Sequence, residues 1–169
     1  MARRFRTKGD ALVVTLEPTE LELLRQLPPQ LGTLLTEASD ESGAKDPVVQ
    51  RLFPRAYLDP TEEAAEVEWQ ALVHSDLVKE RLAALELVTA TLEHATERRG
   101  RFEVALTADE TQAWLGVLND ARLALGIRLD VTEETDLEAV ALDAPEASAY
   151  AIYGWLTYFQ GELVEALLR

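Results

Sequence analysis

Arg101-Phe102-Glu103-Val104-Ala105-Leu106-Thr107-Ala108-Asp109-Glu110 changes rhythm part-way along. Phe102, Val104 and Leu106 alternate with polar or small neighbours, which is the period of a half-buried strand. Thr107 and Glu110 then stand three apart, so that the hydroxyl can accept from the Glu110 N–H while the carboxylate accepts from the Thr107 N–H. The pattern predicts a strand running directly into a capped helix. That helix is expected to extend through Leu125, with Gly126 as its C-terminal stop.

A similar order appears near the start of the chain. Ala11-Leu12-Val13-Val14-Thr15-Leu16 is short, rich in β-branched residues and bounded by Gly9-Asp10 and Pro18, which suits a strand. Pro18 fits a first helical turn, Glu20 and Glu22 suit its positive end, and Leu21, Leu24, Leu27, Leu31 and Leu34 recur at helical spacing. Pro28-Pro29 is expected to break or kink this helix. Val14-x-Leu16, then Pro18, Glu20 and Leu24, matches Val104-x-Leu106, then Ala108, Glu110 and Trp114, in order and spacing. Two copies of one unit and chance similarity between amphipathic segments both account for this echo.

Between the two units, residues 38–46 have the composition of a mobile loop, and Asp46-Pro47 reads as an N-cap with proline at the first helical position. A short helix over Val48–Phe53 follows. From Thr61 the pattern is helical again, with Ser75 or Asp76 as the cap of a longer, central helix reaching about Arg98. Ile127–Val131 alternates like a third strand, and a last helix runs from Pro145 towards the end of the chain. The fold class is therefore mainly α, a single-domain helical fold with a small β component of two or three short strands. The expected organisation is a basic N-terminal arm over residues 1–10 and one domain over 11–169.

The net charge of the 169-residue chain is −15, yet Arg3, Arg4, Arg6 and Lys8 are all cationic, so the remainder carries −19. An acidic body repels the phosphate backbone of nucleic acids, and direct binding, expected to be weak, would fall to this arm. A solvated terminus is the plainer reading of it. The absence of cysteine excludes disulfides, thiolate metal sites and thiol redox sensing in this chain, and it suits a reducing, cytoplasmic setting. No window approaches the length of a membrane span.

No catalytic pattern is legible. His74 and His94 lack metal-ligand spacing, with His94 expected to face solvent, and neither a phosphate-cradling glycine loop nor a nucleophile elbow occurs. The reading is of a non-enzyme with no catalytic residues, metal or cofactor. Two arginines are less ordinary. Arg81 lies inside the apolar stripe of Leu77, Leu85, Val88 and Leu92, and Arg122 lies between Leu118 and Leu125, beside Asn119 and Asp120. A guanidinium so placed must find partners, either an internal carboxylate network or an anion- or partner-binding pocket. In the last helix Tyr150, Gly154, Tyr158 and Gly161 share a face, which suggests close packing within the chain or a homodimer contact.

Trp114-Leu115-Gly116-Val117-Leu118-Asn119-Asp120-Ala121-Arg122-Leu123-Ala124-Leu125-Gly126-Ile127-Arg128-Leu129 resembles the signature of an actinobacterial family of unknown-function domains, some of whose members are AosR-type oxidative-stress transcriptional regulators. Asp46-Pro47, Leu52-Phe53-Pro54-Arg55-Ala56-Tyr57 and Tyr153-Gly154-Trp155-Leu156-Thr157 are similar to further segments of that family. The resemblance implies a regulator acting through protein partners, with a sigma factor or RNA polymerase as candidates. A small-ligand binder or enzyme built on an Arg/carboxylate pocket and an oligomeric scaffold are the alternatives.

Overall fold

The computed structural model describes residues 3–37 and 45–169. Residues 38–44, the main part of the expected mobile loop, lie outside the described residues, as do residues 1 and 2. Two β-hairpins form the sheet. Strands β1 (Phe5–Lys8) and β2 (Ala11–Leu16) turn at Gly9-Asp10, with Gly9 at φ +61°. Strands β3 (Thr96–Arg98) and β4 (Arg101–Leu106) turn at Arg99-Gly100, with φ values of +54° and +78°, as a two-residue type I′ loop requires. All pairings are antiparallel and the order is β1-β2-β4-β3. Part of the presumed N-terminal arm is thus a strand of the sheet.

Alternation decides what each face does. Phe5, Leu12, Val14, Leu16, Phe102, Val104 and Leu106 share one face and join the hydrophobic core with the helices. Helix α1 (Pro18–Glu37) continues unbroken through Pro28 and Pro29. Each proline removes one N–H from the ladder, but Leu24, Leu27, Leu31 and Leu35 are buried on either side, and their packing holds the helix across the gap. Helix α2 (Pro47–Leu52) starts as read: Asp46 accepts from the Val48 N–H at 2.8 Å and proline opens the first turn.

Helix α3 (Glu63–Glu93) is a single 31-residue helix with no new start at Ser75 or Asp76. It stops five residues before the expected Arg98, leaving Thr96–Arg98 to form β3. Helix α4 (Ala108–Arg128) begins with both hydrogen bonds of the Thr107–Glu110 capping box. Gly126 does not end it, and Ile127–Val131 is not a strand. Instead, Asp130 takes a left-handed φ of +53° while Val131 and Asp130 donate to the carbonyls of Gly126 and Ile127, the paired bonds of a Schellman stop. A 3-10 turn at Pro60–Glu62 leads into α3, and another at Leu137–Ala139 precedes helix α5 (Ala147–Leu167).

The echo in the sequence is a structural repeat. A shift of 90 residue numbers carries three of the four pairs of the first hairpin onto the three pairs of the second: Arg6↔Val13, Thr7↔Leu12 and Lys8↔Ala11 become Thr96↔Glu103, Glu97↔Phe102 and Arg98↔Arg101. It also carries the buried Leu21, Leu24, Leu27, Pro28 and Leu31 of α1 onto the buried Thr111, Trp114, Val117, Leu118 and Ala121 of α4. The central pair β2–β4 brings Val14 opposite Val104, so the sheet has a pseudo-two-fold axis through its middle. Each hairpin–helix unit is followed by a further helix packed on it, α3 against α1 and α5 against α4. The halves differ mainly in their connections: α2 and the N-terminal part of α3 occupy the first, and only the turn at Leu137–Ala139 and flanking chain the second.

Candidate functional site

Arg81 reaches from α3 to α4 and is occupied internally. Its Nε donates to Asp120 Oδ2 at 3.1 Å, its Nη2 donates to the Leu52 carbonyl at 3.0 Å, and the guanidinium carbon lies 4.6 Å from the centroid of the Phe53 ring. The arginine therefore ties three elements together, which is what a charge set in an apolar stripe needs. Burial raises the Asp120 pKa, and the neighbouring Arg81 opposes that rise.

Arg122, two residues further along α4, faces away from Arg81, because two positions on a helix are about 200° apart. Its Nη2 donates to Asn119 Oδ1 at 3.4 Å, and the same oxygen accepts from Gln160 of α5 at 3.4 Å. The Arg122 Nε and Gln160 Oε1 are buried without a hydrogen-bond partner. The polar quartet read from the sequence is thus split: Arg81 and Asp120 bind α3 to α4, while Asn119 and Arg122 face α5. They do not converge on one pocket.

The cations at the start of the chain also divide. Arg3 is exposed. Arg4 turns towards the helices, donating to Glu20 at 2.6 Å and to Glu162 at 2.8 Å, and sits 5.3 Å from the Phe159 centroid. Glu20 also accepts from Trp155 Nε1 and from the Glu17 N–H, so it joins α1, α5 and the first strand's approach. Arg6 and Lys8 point the other way, onto the outer sheet face, where Arg6 pairs with Glu103 at 2.7 Å.

On α5, the Tyr150 hydroxyl donates to the Leu129 carbonyl at 3.0 Å and fixes the end of α4. A side chain at Gly154 would meet only Leu137 at 4.0 Å, and one at Gly161 would meet nothing within 4 Å. Tyr158 is 60% exposed. Close intramolecular packing is therefore not the reason for these glycines. The glycine that is tightly packed is Gly126, where an added Cβ would come within 3.1 Å of the Tyr153 ring. His94 is exposed, as expected, with Nδ1 at 2.6 Å from the Ala90 carbonyl.

One feature was not singled out from the sequence. A cleft of about 410 Å³ opens beside α2 and the N-terminal half of α3, lined by Phe53, Trp69, Gln70, His74, Leu77 and Arg81, among others. His74 stacks edge-on against Phe53 at 4.9 Å. Glu66 anchors the chain at the rim: its carboxylate, buried, accepts from the N–H groups of Ala56 and Tyr57 and from Gln70. At the mouth, Trp69 is 41% exposed, and on the same part of α3 Leu72 is 70% exposed. The available signal was a tryptophan in the apolar pattern of Ala65, Trp69, Leu72 and Val73.

The model of the family described as a domain of unknown function, DUF2017, matches residues 2–167. The chain belongs to the DUF2017 family. Its similarity to named relatives runs along nearly its whole length. It is 30% identical to the oxidative stress regulator AosR of Mycobacterium tuberculosis (strain H37Rv), covering 98% of this chain and 87% of that protein. It is also 30% identical to the putative oxidative stress regulator AosR of Mycobacterium leprae, covering 89% of this chain and 80% of that protein. These relatives are named as regulators, not as enzymes. No solved structure matches the chain. Among the described residues no helix is long and apolar enough to cross a membrane.

Proposed function

We propose that this protein is a non-enzymatic stress-response regulator that docks on a protein of the transcription apparatus, a sigma factor or RNA polymerase. The observation that carries the reading is end-to-end similarity to proteins named as oxidative stress regulators, which spans 98% of the chain. Because the chain contains no cysteine, the oxidative signal is sensed by the partner and relayed through contact rather than by a thiol of this protein.

The docking surface favoured here is the mouth of the cleft at α2 and α3. Tryptophan and arginine dominate the energetics of protein interfaces when they sit beside a pocket, and Trp69, Phe53 and Arg81 supply that combination. The N-terminal half of α3 lies in the connection that the second half of the repeat does without, so it is free to serve contact rather than the core.

Affinity capture of the tagged protein from its native host, with and without peroxide, followed by mass spectrometry, tests this. Sigma or polymerase subunits are expected in the wild-type capture and are expected to be lost with Trp69→Ala, while the melting temperature stays within a few degrees. Recovery of no transcription component under either condition would overturn the reading.

A further inference from the structure

The chain is acidic as a whole, but one surface of it is not. Partners in register share a face of a sheet, so the face opposite the core carries Arg6, Lys8, Ala11, Val13, Thr15, Thr96, Arg98, Arg101, Glu103 and Ala105. Four of these residues are cations and one is an anion. Arg6, Lys8 and Arg98 are on the edge strands β1 and β3, while β2 and the far end of β4 present the small residues Ala11, Val13, Thr15 and Ala105. At about 4.8 Å per strand spacing the edge strands are roughly 14 Å apart, so the face is a shallow trough with cationic borders.

Glu103 sits between the borders, accepting from Arg6 at 2.7 Å and ion-paired with Arg98 at 3.3 Å, which draws both guanidinium groups over the trough. Arg101 pairs with Glu17 at the end of the sheet. A cleft of about 390 Å³ continues from the trough towards the end of α3, with Arg6, Lys8, Arg98 and His94 around it together with Glu103 and Glu110. Val13 is 4% exposed yet stands outside the main core cluster, so long polar side chains on this face cover it.

We infer that the outer face of the sheet binds the sugar–phosphate backbone of duplex nucleic acid. Three of its four cations are arginine, whose planar fork grips phosphate oxygens in pairs. A protein partner would need an aromatic or aliphatic anchor near the centre of the interface, and the centre here is alanine, threonine and an already covered valine. A single strand would need aromatic platforms for its bases, and the residues named on this face include none. Backbone recognition of a duplex needs neither. Arg6 and Arg98, drawn together on Glu103, form with Lys8 one cationic cluster along which a phosphate row of the duplex can lie. At physiological salt the Debye length is about 8 Å, so this local surface acts on a bound phosphate more strongly than the distant acidic body does.

The experiment is fluorescence anisotropy with a labelled 20-base-pair DNA duplex of arbitrary sequence, titrated with the full chain at several salt concentrations. Contacts by four cations give a log–log salt slope of about −3.6, equivalent to roughly 100-fold weaker binding between 50 and 200 mM salt. Arg6→Glu with Arg98→Glu is expected to weaken binding at least tenfold and to flatten the slope. Arg51→Glu with Lys79→Glu changes net charge equally at exposed positions elsewhere and is expected to leave the slope unchanged. If the reversal variant fails to fold, Lys8→Ala with Arg98→Ala makes the same comparison by truncation. Equal weakening in the two charge-matched variants, absence of binding at 25 mM salt, or capture of a poly-glutamate peptide on this face without duplex binding would each overturn the inference. Any of these outcomes leaves the protein-docking reading standing, because that reading uses α2 and α3, not the outer face of the sheet.

Discussion

Val14 pairs directly with Val104 across β2 and β4, and the two are each other's counterparts under the 90-residue shift. One contact therefore contains both halves of the repeat. Both side chains are buried in the core, at 0% and 2% exposure. Val14→Ala and Val104→Ala are each expected to lower stability by about 1–3 kcal/mol in urea unfolding. The double variant is expected to depart from the sum of the singles, because the residues are in contact. Additive losses would show that the two valines do not form one packing unit.

Glu20 makes the fold sensitive to acid. Burial pushes its pKa up, but hydrogen bonds from the Glu17 N–H, Arg4 and Trp155 outweigh that and hold the carboxyl below its ordinary range. A carboxylate whose pKa is depressed on folding contributes stability that is complete above its unfolded pKa and is lost as pH falls through the folded one. Glu20→Gln is expected to cost about 1–3 kcal/mol at pH 7 and progressively less below about pH 4.3. Asp120 works in the opposite direction, since burial raises its pKa and the folded state takes up that proton first as pH falls. Urea midpoints across pH 3–7 for wild type, Glu20→Gln and Asp120→Asn separate the two.

Trp114 Nε1 donates to Thr91 Oγ1 at 2.8 Å inside the core, and Thr91 in turn donates to the Val88 carbonyl. Thr91→Val preserves shape but strands the indole N–H, with an expected loss of about 1–3 kcal/mol. Thr91→Ser keeps the hydroxyl and is expected to recover most of that loss. Thermal melts of the two variants distinguish a hydrogen-bond effect from a packing one.

Arg99 occupies the first central position of a type I′ turn at φ +54°, a conformation that asparagine tolerates better than arginine does. Arg99→Asn is expected to stabilise the protein by about 0.5–1 kcal/mol, measured as a higher urea midpoint with an unchanged slope.

The parts of the fold legible in the sequence were those with a strong local signal. Val14, Leu16, Val104 and Leu106 alternate, Asp46-Pro47 caps α2, and Thr107 with Glu110 closes the capping box. Strand β3 was hidden because Thr96, Glu97 and Arg98 are all exposed and carry no alternation of hydropathy. Strand β1 was masked by its charge, with Phe5 as its single buried residue. Gly126 suggested a helix stop, but a glycine is also what lets the Tyr153 ring lie against α4, a tertiary requirement that local pattern does not reveal. The same limit applied to the candidate site. Sequence spacing identified Arg81 and Arg122 as unusual, yet only the placement of α3 and α5 on opposite sides of α4 separates their roles. Trp69 reads as one more apolar position of a helical pattern with Ala65, Leu72 and Val73, and only the cleft beside it sets it apart from a core residue.

The pseudo-two-fold sheet has a consequence for how this chain could have arisen and how it can change. Either hairpin–helix unit alone would leave the inner edge of β2 or β4 unpaired, and two identical units would close that edge by pairing with each other. A tandem gene fusion of such a self-associating ancestor yields the present arrangement in one polypeptide. Once fused, the copies need not mutate in step: one can conserve the shared fold while the other acquires an inserted segment. The long connection bearing α2 and the start of α3 is where such lineage-specific innovation would accumulate at least expense to the scaffold.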